Sequence, residues 1–78
     1  MGKGDFEYSK VYIKIGRNIK NLRMVNNNMS QEDLAFRIGS ARNYIGCIER
    51  AEKRATIAVL CRIAEALNVT LEEIIKGC

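Results

Sequence analysis

The stretch QEDLAFRIGSARNYIGCIER, residues 31–50, holds two short helical patterns that meet at one glycine. Leu34, Ala35 and Ile38 fall on one face of the first pattern, and Ile45 and Ile48 on one face of the second. Gly39 stands between them, where a left-handed residue ends a helix sharply. Ser40 is placed to cap the next helix, predicted from Ala41 to about Arg50. Helices joined by so short a linker cross steeply, and the second projects as an edge. Such an edge fits the B-DNA major groove, about 12 Å wide.

Outward from this pair the chain reads as three more helices. Upstream, Tyr12, Ile15, Ile19 and Leu22 share a face, predicting a first helix from near Ser9 to about Val25. Asn26-Asn27-Asn28 breaks it, because Asn side chains bond locally to backbone and favour turns. Ser30 then caps the second helix with Asp33 in the capping-box position, and Met29 and Leu34 have the spacing of a hydrophobic staple. Downstream of a polar loop, Ala51 to Ala55, Thr56 caps a fourth helix whose Ile57, Leu60, Ile63, Ala64 and Leu67 form a wide apolar stripe. Thr70-Leu71-Glu72-Glu73 is a capping box for a short fifth helix, with Val69 and Ile74 as its staple. The expected fold is all-α: a compact five-helix domain over residues 9–78 behind a flexible tail at residues 1–8.

Seventy-eight residues suffice for one domain, and a chain of that size buries only about 60% of its unfolded surface. The net charge of +4 is unevenly spread. Lys10, Lys14, Arg17, Lys20 and Arg23 lie in residues 9–30 without an acid, whereas residues 31–54 are nearly balanced and the two flanks slightly acidic. A basic N-terminal half suits a phosphate-bearing partner, and a solvated helix face accounts for it equally well. Cys47, Cys61 and Cys78 lack metal-ligand spacing and are odd in number, so reduced thiols are expected, with Cys61 in the core and Cys78 open to oxidation. No metal or cofactor is expected. Without a His, a phosphate-cradling Gly loop or paired carboxylates in a pocket, the sequence does not read as an enzyme. It shows no signal peptide, acylation motif or membrane-length apolar run, so a soluble cytoplasmic protein is expected.

MSQEDLAFRIGSARNYIGCIER followed by IAEALNVTLEEI resembles the lambda-repressor-like and Cro-like helix-turn-helix DNA-binding domains. Arg42-x-Tyr44-Ile45 and Ile48-Glu49-Arg50 are most similar to the small controller proteins of restriction–modification systems of bacteria or phage. The resemblance spans roughly residues 13–75, with two departures: the link from Arg23 to Gln31 is one residue longer, and Ala51 stands where a Gly is common. It implies a double-stranded DNA-binding transcription regulator, such as a repressor, whose third helix reads base edges. Arg42 and Asn43 are then the base readers, since Arg matches guanine and Asn adenine. Cys47, one turn on, touches a thymine methyl or merely fills space. Gln31 holds a phosphate at a helix N-terminus. Tyr44 reaches the DNA backbone or covers the second helix; the residues leave both open. Lys53 and Arg54 grip the backbone from the loop, with Arg37 and Arg50 as further candidates. Gly46 lets the reading helix approach the groove, or is a weak point in it. By the same resemblance Arg23 and Glu49 form a structural ion pair.

One reading helix touches few base pairs, so a homodimer on a palindromic operator is expected. The apolar residues left over by one small core lie in the C-terminal half, and Val69, Leu71 and Ile75 are the expected dimer contacts, Val69 having the core as its alternative. No small-molecule effector site is evident. The rival reading is a protein-interaction or antitoxin-type module on the same fold.

Overall fold

Ile15 and Ile19 of the first helix meet Leu34, Ile45, Leu60 and Ile74, so that every helix sends at least one buried side chain into a common core. The computed structural model describes the backbone of residues 3–78 and the side chains of residues 9–78. Its elements are α1 (Lys3–Val25), α2 (Gln31–Ile38), α3 (Tyr44–Glu49), α4 (Ile57–Leu67) and α5 (Leu71–Ile74), with no strand among the described residues.

The start of α1 lies upstream of the expected Ser9. Once its packed half is formed, each further residue gains a hydrogen bond without a new nucleus, and no Pro interrupts residues 3–8. The expected tail at residues 1–8 therefore falls partly on this helix; residues 1–2, and the side chains up to 8, lie outside the described residues. After α1, Asn27 and Asn28 take left-handed backbone (φ 55° and 54°), a conformation Asn tolerates better than most residues. The Asn26 amide donates to the Leu67 carbonyl at 3.0 Å and ties this loop to the end of α4.

Local signals place most helix ends. The Ser30 hydroxyl accepts from the Asp33 amide at 3.0 Å, and Gly39 closes α2 at φ 71°. The Thr56 hydroxyl accepts from Val59, and Thr70 and Glu73 form the full reciprocal capping box. Asn18 donates to the carbonyls of Ile74 and Lys76, both at 2.9 Å, fastening the segment after α5 onto α1.

Two expectations are corrected. The third helix begins at Tyr44 rather than Ala41, and its N-cap is Asn43, not Ser40. The Ser40 amide closes the end of α2 on the Ala35 carbonyl at 2.9 Å, and its hydroxyl donates to the carbonyls of Ala35 and Ala41. Ser40 thus serves the helix before it, and residues 42–43 form a turn leading into α3. The second correction is Cys61, which is exposed rather than in the core. It follows Leu60 by about 100° around α4, which turns it off the buried stripe of Leu60, Ile63, Ala64 and Leu67.

Ala51, directly after α3, sits at φ 60°. A Cβ in left-handed backbone costs about 1–2 kcal/mol, of which a glycine would return part through its freer unfolded chain, about 0.4–1 kcal/mol. Ala51→Gly is expected to stabilise the fold by about 0.5–1 kcal/mol. A thermal melt that rises by a few degrees would agree; an unchanged or lower midpoint would not.

Candidate nucleic-acid interface

Burial of Ile45 and Ile48 locks the back of α3 against the core, with Ile45 fully buried and Ile48 2% exposed. The opposite side is left open. Arg42 and Asn43 are exposed in the turn ahead of α3 and line one open cleft with Gln31 and Glu32 of α2. Cys47 is half-buried, one turn after Asn43, whose carbonyl accepts from the Cys47 amide at 3.2 Å. Tyr44 is also half-buried and packs against the core cluster. Gly46 is covered by its neighbours. It is buried, and a Cβ there would come within 3.2 Å of the Gln31 Oε1 and 3.0 Å of the Arg50 Nη1. The missing side chain makes room for those two residues.

Behind the cleft lies a three-helix junction. The Arg23 Nε donates to Glu49 Oε2 at 2.8 Å and its Nη2 to Oε1 at 3.0 Å, while Nη1 donates to the Met29 carbonyl at 2.7 Å. The longer link between α1 and α2 therefore leaves this pair intact, and the Glu49 side chain is only 3% exposed. Gln31 Nε2 donates to Glu49 Oε1 at 2.9 Å. A carboxylate only accepts, so Gln31 must turn its NH₂ group inward, with a second N–H still on that nitrogen. Arg23 and Glu49 thus hold Gln31 in place at the first residue of α2.

The remaining basic residues are not equivalent. The amides of Glu52 and Lys53 donate to the Cys47 carbonyl at 2.8 and 3.3 Å, folding the loop back onto the end of α3 with Lys53 exposed. Arg54 lies 5.1 Å over the Tyr12 ring. Arg50 pairs with Glu52 at 3.0 and 3.2 Å. That hydrogen-bonded pairing, with the attraction between the charges, raises the Arg50 pKa and lowers that of Glu52. Both side chains are more than half exposed, so the pair is a surface one. Arg37 stands apart. It lines depressions with Arg62 and Glu65 of α4 and with Asn26 to Asn28, away from the cleft of Arg42 and Asn43.

Three further residues bear on this region. Glu32 pairs with Arg42 at 3.3 Å, and Phe36 is 85% exposed on α2 beside them. Gly16 carries the closest contact in the fold's support: a Cβ there would lie 2.5 Å from the Glu49 carbonyl oxygen and 2.7 Å from that of Ile48. A glycine inside a helical pattern was the available signal for Gly16. Elsewhere, Val69 and Leu71 are half-buried and line an open groove with Cys61 and Asn68, and Ile75 is 37% exposed. Among the described residues no helix is long and apolar enough to cross a membrane, and no group of three or more potential metal ligands is present.

Comparison with known proteins gives a consistent result. The helix-turn-helix family profile matches residues 19–74. The control protein C.SmaI of Serratia marcescens is 38% identical over 61 residues, covering 78% of this chain and 71% of the relative. The control protein C.BamHI of Bacillus amyloliquefaciens is 30% identical over 67 residues, covering 86% and 83%. The crystal structure of the restriction-modification controller protein C.AhdI from Aeromonas hydrophila superposes with a TM-score of 0.76 at 32% identity, over 81% of this chain and 94% of that one.

Proposed function

The chain belongs to the helix-turn-helix family, among relatives that are controller proteins of restriction–modification systems, and we propose that it regulates transcription as a homodimer on a palindromic operator. The carrying observation is the exposure of Arg42 and Asn43 at the head of α3, in one cleft with Gln31, while Ile45 and Ile48 hold the same helix rigidly from behind. In this reading α3 enters the major groove, Arg42 and Asn43 bond base edges, and Cys47 and Tyr44 lie along the same side. Gln31, Lys53 and Arg54 bind phosphate, with Arg50 and Arg37 as weaker candidates, Arg37 lying away from the cleft.

The proposed dimer contact is the face made by Val69, Leu71 and Ile75. On α4, Ile57, Cys61 and Ala64 follow at spacings of four and three, and Ala64 and Cys61 line the groove of Val69 and Leu71. Ile57 is 63% exposed, an apolar surface that a second copy would cover. A two-fold pair would set its reading helices about 34–36 Å apart, one turn of DNA. Regulation is proposed to act in the cytoplasm, through concentration and operator arrangement, without catalysis or a small-molecule effector.

Selection from a random duplex library, followed by titration of the winning duplex at two salt concentrations, tests this. A palindrome with half-sites one turn apart is expected. Binding with no enriched sequence would shift the reading to a protein-interaction module. On the selected duplex, Arg42→Ala is expected to lose about 1–3 kcal/mol, with specificity relaxed at one base pair of each half-site. Lys53→Ala is expected to weaken all sequences alike and to reduce the salt slope by about one unit per protomer. If both variants bind as wild type does, these two assignments fail.

A further inference from the structure

We propose that Glu32 is a specificity-determining residue, which acts by holding the Arg42 guanidinium in the orientation that reads a base; this rests on the DNA-binding reading above. Glu32 lies in the first turn of α2 and Arg42 in the turn before α3, so the pair bridges the two elements of the motif. Its closest approach is between Glu32 Oε2 and Arg42 Nε, at 3.3 Å. An arginine has five N–H donors in a planar fork. A carboxylate on the Nε side leaves the outer edge, made by the two terminal nitrogens, free for the paired acceptors of a guanine. Glu32 and the base therefore do not compete for the same donors. Both side chains are well exposed, at 78% for Arg42 and 66% for Glu32. The pair therefore adds little to folding, and its consequence lies in where the guanidinium points.

The position of Glu32 also carries a cost that the tether offsets. It shares the cleft of Gln31, Arg42 and Asn43, so in the DNA complex its charge lies close to the nucleic acid and repels phosphate regardless of sequence. The pair forms without DNA, so Arg42 offsets this repulsion in part at cognate and unrelated sites alike. Glu32 thus lowers binding to every sequence by a common factor, and adds to discrimination only at the base pair that Arg42 reads.

The test is a double-mutant cycle on the duplex selected by the wild-type protein, compared with the same duplex substituted at each base pair in turn. Glu32→Gln is expected to tighten binding to an unrelated duplex at low salt. It is also expected to reduce discrimination at the base pair read by Arg42 by up to about fivefold, the ceiling for an exposed ion pair. In an Arg42→Ala background the same substitution is expected to leave discrimination at that base pair unchanged. If Glu32→Gln instead shifts all duplexes by one factor in both backgrounds, Glu32 contributes charge alone; the proposal is overturned and the DNA-binding reading stands. If Arg42→Ala relaxes no base pair, the proposal and Arg42's role as base reader fall together. Thermal melts of each variant are expected to show wild-type midpoints, since both positions are exposed.

Discussion

Gly16→Ala is expected to destabilise the protein by about 3 kcal/mol or more, at or beyond the upper end of the usual cost of overpacking. The added methyl would meet the carbonyl oxygens of Glu49 and Ile48 at 2.5 and 2.7 Å, and both are backbone atoms that no rotamer change can move. Relief requires α1 to back away from the end of α3. That motion would also pull Arg23 from Glu49 and loosen the Ile15 and Ile19 contacts with the core. For a domain of this size each 1 kcal/mol shifts the melting midpoint by about 4–8 °C, so a drop of at least about 12 °C is expected. Urea and thermal unfolding of the variant check this. A loss below about 1 kcal/mol would mean that the two helices have slack between them.

Breaking the junction from its other side is expected to cost as much or more. Glu49→Ala would leave the buried Arg23 guanidinium with only its bond to the Met29 carbonyl, and a buried charge deprived of its partner typically costs about 3–5 kcal/mol. A domain of this length holds on the order of 4–12 kcal/mol in total, so this variant should stand close to unfolding at room temperature. Replacing both partners by apolar residues, Arg23→Met with Glu49→Leu, is expected to recover most of the loss, because no charge is then stranded. Comparing the two variants by chemical denaturation separates the cost of a stranded ion from the value of the pair. Equal destabilisation by both would show that the junction works by shape rather than by charge.

Much of this protein is written in short windows. A cap, a left-handed stop or a staple involves residues within five positions of each other, so Ser30, Gly39, Thr56 and Thr70 mark their helices wherever the helices end up. Periodicity likewise assigns the inner faces, since it needs only the geometry of one helix. Ser40 is ambiguous in sequence, because a hydroxyl that caps the next helix and one that closes the previous helix have the same signature at so short a link; the structure has it close α2. Arg42 and Asn43 were legible as outward residues because Ile45 and Ile48 face inward. The Arg23–Glu49 pair, 26 residues apart, carried no periodic signal and was expected only through family resemblance.

The sequence by itself determined five helices, their order, most of their ends and the open edge of the helix-turn-helix pair, because these follow from backbone hydrogen bonding and side-chain period within single elements. Only the tertiary structure decided that α1 meets the end of α3 at Gly16, that Glu49 joins Arg23 to Gln31, that Gly46 lies under Gln31 and Arg50 and that Glu32 comes within 3.3 Å of Arg42. Each of those depends on which element lies against which and at what distance. Such distances come from packing the whole chain around one core, and no local window contains them.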